Sequence, residues 1–143
     1  MIPVELVQPS GAVFHHSECK DTPAGEIVGI WEYHVSGKKW RSIGYNFVVE
    51  FRDGHCLVQC GREPFMMGSH CRGFNNMVGI CLVGNFDLTP PPEAMLDKSA
   101  RLLKWLMLWT DIEPKKVFDH RDLNDTTCPG KLFHVRTDIL PRL

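Results

Sequence analysis

No apolar run in this sequence is long enough to cross a bilayer, which takes about 20 residues. The longest strongly apolar run, Leu102 to Trp109, is also interrupted by Lys104, so no membrane insertion is expected. Neither sign of charge is in excess: 16 basic side chains face 17 acidic ones. The basic surplus that a nucleic-acid reader usually carries is therefore absent. Among the six cysteines no CxxC pair occurs, which weakens the zinc-finger and thioredoxin readings. The opening MIPVELVQPSG holds no basic stretch followed by an apolar core, so synthesis in the cytoplasm without a secretory signal peptide is expected. Reduced thiols rather than three disulfides go with that expectation. Repeats, low-complexity tracts and linkers are missing as well, and residues 1–143 read as a single domain.

What is present supports a packed core. Apolar residues make up 43% of 143 positions, and a chain of this size buries roughly 70% of its unfolded surface without needing a staple. GAVFHHS reads as a short buried strand ending in polar residues. DTPAGEIVGIWEYHVS reads as a helix, with Thr22 as N-cap, Pro23 at the first helical position, and Ile27, Ile30 or Trp31, and His34 at helical spacing. IGYNFVVEFRDGHCLVQCG holds two β-rich runs around Asp53-Gly54, a dipeptide that favours a tight hairpin. MVGICLVGNF is nearly continuous apolar sequence, as expected of a central strand covered on both faces. After three prolines, Leu96, Ala100, Leu103 and Met107 form one helical stripe, with Leu102, Leu106 and Trp109 beside it. A short strand around KKVFDH and a last helix within GKLFHVRTDIL complete the order. The fold-class expectation is α/β: a central mixed β-sheet packed by about three helices.

Several residues could carry chemistry. A catalytic zinc site takes three protein ligands from His, Cys and carboxylates and keeps a fourth position for water. His15 or His16 ends one expected strand, His120 follows another, and Cys128 lies eight residues further on. Adjacent histidines on a strand point to opposite faces, so at most one of the pair would enter a site. His120 could equally be a turn residue bonded to Asp122, and Cys128 a small buried thiol. The HRD triplet resembles a kinase catalytic loop, yet neither a glycine-rich phosphate loop nor a DFG triplet accompanies it.

Six stretches occur together, in an order and approximate spacing that resemble one family: VFHHS, SIGYNFVVEFRDG, GSHCRGFNN, VGICLVGNF, DHRDL and TTCPG. Over residues 12–140 the chain is similar to the zinc-dependent N-acetylmuramoyl-L-alanine amidases. That family contains the peptidoglycan recognition proteins and the amidase-type phage lysozymes. The resemblance implies an amidase-like fold and one Zn²⁺ per chain, with His15, His120 and Cys128 as ligands. It implies an active-site tyrosine at Tyr45 and a transition-state donor at Thr126. It also implies a substrate-groove border at His70 and Asn75, with His34 either packing its helix or standing at the groove edge. Two departures are visible: Cys81 occupies the place where a neighbouring amidase branch carries a general-base glutamate, and a disulfide pair of the animal recognition proteins has no clear match.

The implied function is a bacteriolytic hydrolase. It would cut the amide between N-acetylmuramic acid and L-alanine as a phage or prophage endolysin, reaching the cell wall on release. The alternative is a non-catalytic peptidoglycan-binding recognition module. Peptidoglycan or a muropeptide is the expected partner of a monomer; Trp40, Phe65 and Phe74 could wall the groove, although aromatic residues more often pack in a core. Asp119 or Asp122 could accept from the unused nitrogen of a ligand histidine, or could equally be an exposed turn carboxylate.

Overall fold

A computed structural model describes residues 6–18 and 26–143. Five strands form one mixed sheet: β1 (Ala12–His16), β2 (Phe47–Arg52), β3 (His55–Cys60), β4 (Val78–Leu82) and β5 (Val117–Asp119). Their order is β3-β2-β4-β1-β5. The hairpin β2–β3 is antiparallel, whereas β4 pairs in parallel with β2 and β1, and β1 in parallel with β5. The expected turn is there: Asp53 and Gly54 both take positive φ, 51° and 78°, the backbone that a two-residue hairpin requires. Every residue of β4 is buried, consistent with its place in mid-sheet between β2 and β1.

Strand alternation divides the residues between two faces. Ala12, Phe14, Phe47, Val49, Val78, Ile80 and Leu82 join Met95, Leu103 and Leu106 of α2 (Glu93–Trp109) and Phe133 in the main core. Val48 and Cys81 point the other way and pack with Ile30 of α1 (Glu26–Trp31) and with Ile43 and Tyr45. The cap assigned to Thr22 and Pro23 lies outside the described residues. Beyond Trp31 the first helix continues as a π-helical segment, Glu32–Gly37, in which Lys38 N–H reaches back five residues to Tyr33 O at 2.9 Å. Such wide turns occur often at functional sites, and this one carries His34.

One expectation about α2 needs correction. Trp109 does not join the buried stripe: it is the last residue of α2, is 66% exposed, and with Trp105, Leu106, Pro64 and Phe65 lines a surface groove of about 280 Å³. The last helix lies within the expected stretch, as α3 (Val135–Asp138), followed by a 3₁₀ turn at Leu140–Arg142. Pro141 disfavours continuation of the α-helix through Leu140.

Candidate metal centre

The register of the parallel strands assembles the site. Phe14 pairs with Asp119, and His15 with Cys81. The residues following the β1–β5 pairing are therefore His15 and His120, and their rings lie with centroids 4.5 Å apart. His120 opens a 3₁₀ turn, His120–Asp122, whose start is closed by a reciprocal cap between Asp119 and Asp122. The chain then loops back so that Cys128 O accepts Arg121 N–H at 2.9 Å. Cys128 Sγ comes within 3.8 Å of His15 Nδ1. One ligand atom each from His15, His120 and Cys128 lies within 4.8 Å of the others.

Arg121, to which the sequence pattern assigned no role, ties this loop shut. Its guanidinium donates to Asp119 Oδ2 at 3.1 Å, to Gly130 O at 2.9 Å, and to Phe133 O. Asp119 Oδ1 in turn accepts Val135 N–H at 3.0 Å. Asp119 and Asp122 are thus spent on backbone and on Arg121, and neither accepts from a ligand histidine. His120 Nε2 pairs instead with Asn124 Oδ1 at 3.0 Å, and His15 Nε2 with His70 Nδ1 at 2.9 Å. Asn124 looked like a plain turn residue because its partners, Cys71 and Arg72, sit about fifty positions away.

Electrostatics favours neutral donors. Burial drives the His15 pKa well below the usual histidine value, with the neighbouring His70 and His120 adding to the shift. Burial lowers His70 to about 4 and also lowers His120. The Cys128 thiol is pushed up to about 12, again chiefly by burial, so it keeps its proton until a cation approaches. Two neutral imidazoles and one ionisable thiol are the donor set that a borderline-soft dication such as Zn²⁺ prefers. The residues fit that ion.

Among the described residues a second group, His16, Glu18 and Asp87, also converges within 4.8 Å. It is built differently. His16 Nδ1 accepts Phe86 N–H at 3.2 Å, which leaves the hydrogen of the neutral ring on Nε2, buried and without a hydrogen-bond partner. A ring in that state offers a cation no lone pair.

The other predicted residues surround the trio. The Tyr45 ring is 5.2 Å from His15 and 5.7 Å from His34. His34 stacks at 4.7 Å on Trp40 and accepts Gly44 N–H at its Nδ1. Thr126 Oγ1 accepts Cys128 N–H at 3.2 Å, leaving its own hydrogen free to donate. Asn75 Oδ1 accepts the amides of His70 and Cys71, both at 2.8 Å, and so shapes the 68–77 loop. Phe65 faces the α2 groove with Trp105 rather than standing at this site. The five described cysteines, Cys56, Cys60, Cys71, Cys81 and Cys128, are reduced thiols outside any disulfide.

Comparison with known proteins follows the same lines. A family model described as N-acetylmuramoyl-L-alanine amidase matches residues 5–131. The endolysin of Klebsiella phage KP32 is 32% identical over 129 residues, covering 86% of this chain and 82% of its own. Peptidoglycan-recognition protein LB of Drosophila melanogaster is 32% identical over 130 residues, covering 85% of this chain, which spans only 55% of that longer protein. A solved structure of a point mutant of Drosophila PGRP-LB in complex with tracheal cytotoxin superposes with a TM-score of 0.80 at 28% identity, covering 99% of this chain and 88% of its own.

Proposed function

This chain belongs to the N-acetylmuramoyl-L-alanine amidase family, and from that premise we propose that it hydrolyses the amide between N-acetylmuramic acid and L-alanine in peptidoglycan. One Zn²⁺ held by His15, His120 and Cys128 serves the reaction, and the biological setting is that of a phage endolysin. The observation that carries the reading is the convergence of two imidazoles and a thiol within 4.8 Å in a chain of this family. Similarity to an endolysin over most of both chains supports the setting. A relative solved with tracheal cytotoxin supports a muropeptide-like substrate. No helix among the described residues is long and apolar enough to cross a membrane.

When bound, zinc supplies a Lewis acid at the scissile carbonyl and makes water acidic enough to react near neutral pH. The protein's own groups do the rest. His15 and His120, kept neutral by burial, offer lone pairs without competing charge. The Tyr45 hydroxyl, carried on a ring beside His15, donates to the carbonyl oxygen as negative charge develops there. The Thr126 hydroxyl, whose oxygen is already anchored by Cys128 N–H, donates its hydrogen to the same charge. Cys81 cannot stand in for a glutamate base, because it is fully buried and its Sγ lies against Leu82 O at 3.9 Å. Proton handling therefore falls to Tyr45. His34 and Trp40 form one wall for the glycan and peptide, and the 68–77 loop with His70 and Asn75 forms the other.

The test is digestion of purified peptidoglycan, with mass spectrometry before and after zinc chelation. Peptides beginning with L-alanine are expected, together with glycan carrying free lactyl carboxyls, and both should vanish on chelation. Fragments that persist in Cys128→Ala, or cleavage of glycosidic bonds alone, would overturn the reading. Wild-type protein that takes up no Zn²⁺ when it is supplied, yet binds the wall without cutting it, would make the chain a recognition module.

A further inference from the structure

A neutral imidazole carries one ring hydrogen, and only the other nitrogen can be a ligand. Hydrogen bonds from the 68–77 loop decide which nitrogen that is for both histidines of the candidate centre. Met77 O lies 2.9 Å from His70 Nε2, and a carbonyl only accepts, so Nε2 of His70 bears the hydrogen. Nδ1 of the neutral His70 ring is then a lone pair, and it faces His15 Nε2 at 2.9 Å. His15 must donate from Nε2, which leaves its lone pair on Nδ1, the atom 3.8 Å from Cys128 Sγ.

The second ring is set through an amide. Asn124 Nδ2 donates to Arg72 O at 3.1 Å and to Leu123 O at 2.9 Å, while Oδ1 accepts Arg72 N–H at 3.1 Å. Backbone partners on both sides fix which end of the amide is oxygen. His120 Nε2, 3.0 Å from that oxygen, is therefore the donor, and its lone pair too is on Nδ1.

We infer that the 68–77 loop is a tautomer selector: through His70 for His15, and through Asn124 docked on Arg72 for His120, it holds both rings as Nε2–H and presents Nδ1 of each to the ion. His70 and Asn124 are positioning residues. The identity of the ion rests on the reading given above, but the tautomers do not. Packing supports the assignment, since the His70 ring lies so close to two glycines that a Cβ on Gly68 or Gly79 would sit 2.5 Å from its Cδ2. That leaves the ring little room to turn over, a motion that would put carbons where Nδ1 and Nε2 now bond.

Long-range ¹H–¹⁵N spectra of the metal-free protein test the inference directly. His15 and His120 are expected as Nε2–H tautomers before zinc and as Nδ1-bound rings after one equivalent of Zn²⁺. Either ring protonated at Nδ1, or bound through Nε2, would overturn it. Zinc affinity by chelator competition gives an independent readout on two variants. His70→Phe keeps a planar, slightly larger ring and loses the acceptor, whereas His70→Asn puts an acceptor oxygen near the place of Nδ1. The Phe variant is expected to bind about 10- to 100-fold more weakly, with the Asn variant much closer to wild type. Equal affinity in the two, whether intact or lost, would reduce His70 to a packing residue and defeat the inference. Wild-type protein that takes up no Zn²⁺ defeats the amidase reading instead, and the metal-free spectra still decide the tautomers.

Discussion

His15 and His16 are neighbours on β1, both nearly sealed from solvent at 1% and 4% exposure, yet they serve opposite faces of the sheet. The face under α2 is filled by Phe14, Ile80, Leu82, Leu103 and their neighbours, and the imidazole that points that way ends up accepting Phe86 N–H. On the opposite face Gly79 and Cys81 leave space for rings, so His15, His70, His120 and Tyr45 gather there. Burial lowers the pKa of His15 and His16 alike. What differs is the partner: an amide donor takes the Nδ1 lone pair of His16, whereas Nδ1 of His15 faces the Cys128 thiol at 3.8 Å, whose proton an approaching cation displaces. Chemistry here depends on which partner each lone pair meets.

That contrast can be broken in graded steps. Cys128→Ser should have the largest effect, reducing amide cleavage by more than the roughly 10²- to 10³-fold that a single oxyanion donor is worth. Its unfolding midpoint in chelator should stay near wild type, and a matching fall in that midpoint would mean the face is structural after all. Tyr45→Phe removes only the hydroxyl and is expected to lower kcat by about 10²- to 10³-fold with little change in KM; steady-state kinetics on a soluble muropeptide would read both.

The α2 face should answer in the opposite currency of measurement. Leu103, fully buried in α2, when cut to alanine should destabilise the fold by about 2–5 kcal/mol, measured by urea unfolding, while the folded fraction keeps its turnover. Loss of turnover at full folding would show that the two faces are coupled. The smallest effect concerns pH. His34 is held below the usual histidine pKa by burial, with Lys38 and Arg62 adding to the shift. Its folded value lies under its unfolded one, so its contribution is whole above about pH 6.5 and is lost as pH falls below that. In chelator-treated protein His34→Asn, which can still accept Gly44 N–H, should flatten the loss of stability by up to about 1.4 kcal/mol per pH unit. An unchanged slope between pH 6.5 and 5 would remove His34 from the account.

Much of this molecule was legible before any coordinates. The Asp53-Gly54 turn, the unbroken apolar run of β4 and the periodic stripe of α2 each report a local preference, and each element formed where expected. Opposite pointing of the adjacent histidines followed from the two-residue period of a strand. Partners were not legible in this way. Asp119 and Asp122 were reasonable acceptors by nearness in sequence, but Arg121 and the backbone claimed them. Phe65, a candidate for either groove wall or core, and Trp109, expected beside the apolar stripe of α2, share a surface groove on the α2 side.

The sequence by itself determined which segments are strands and helices, and it carried the six motifs that point to the amidase family, because periodicity and turn chemistry act over a few residues. Only the tertiary structure decided which nitrogen of His15 and of His120 is left open. That choice is made by Met77 through His70 and by Arg72 through Asn124, with His15 and His70 lying 55 positions apart. A lone pair is assigned by the groups that meet around it, and chain distance does not record which groups will meet.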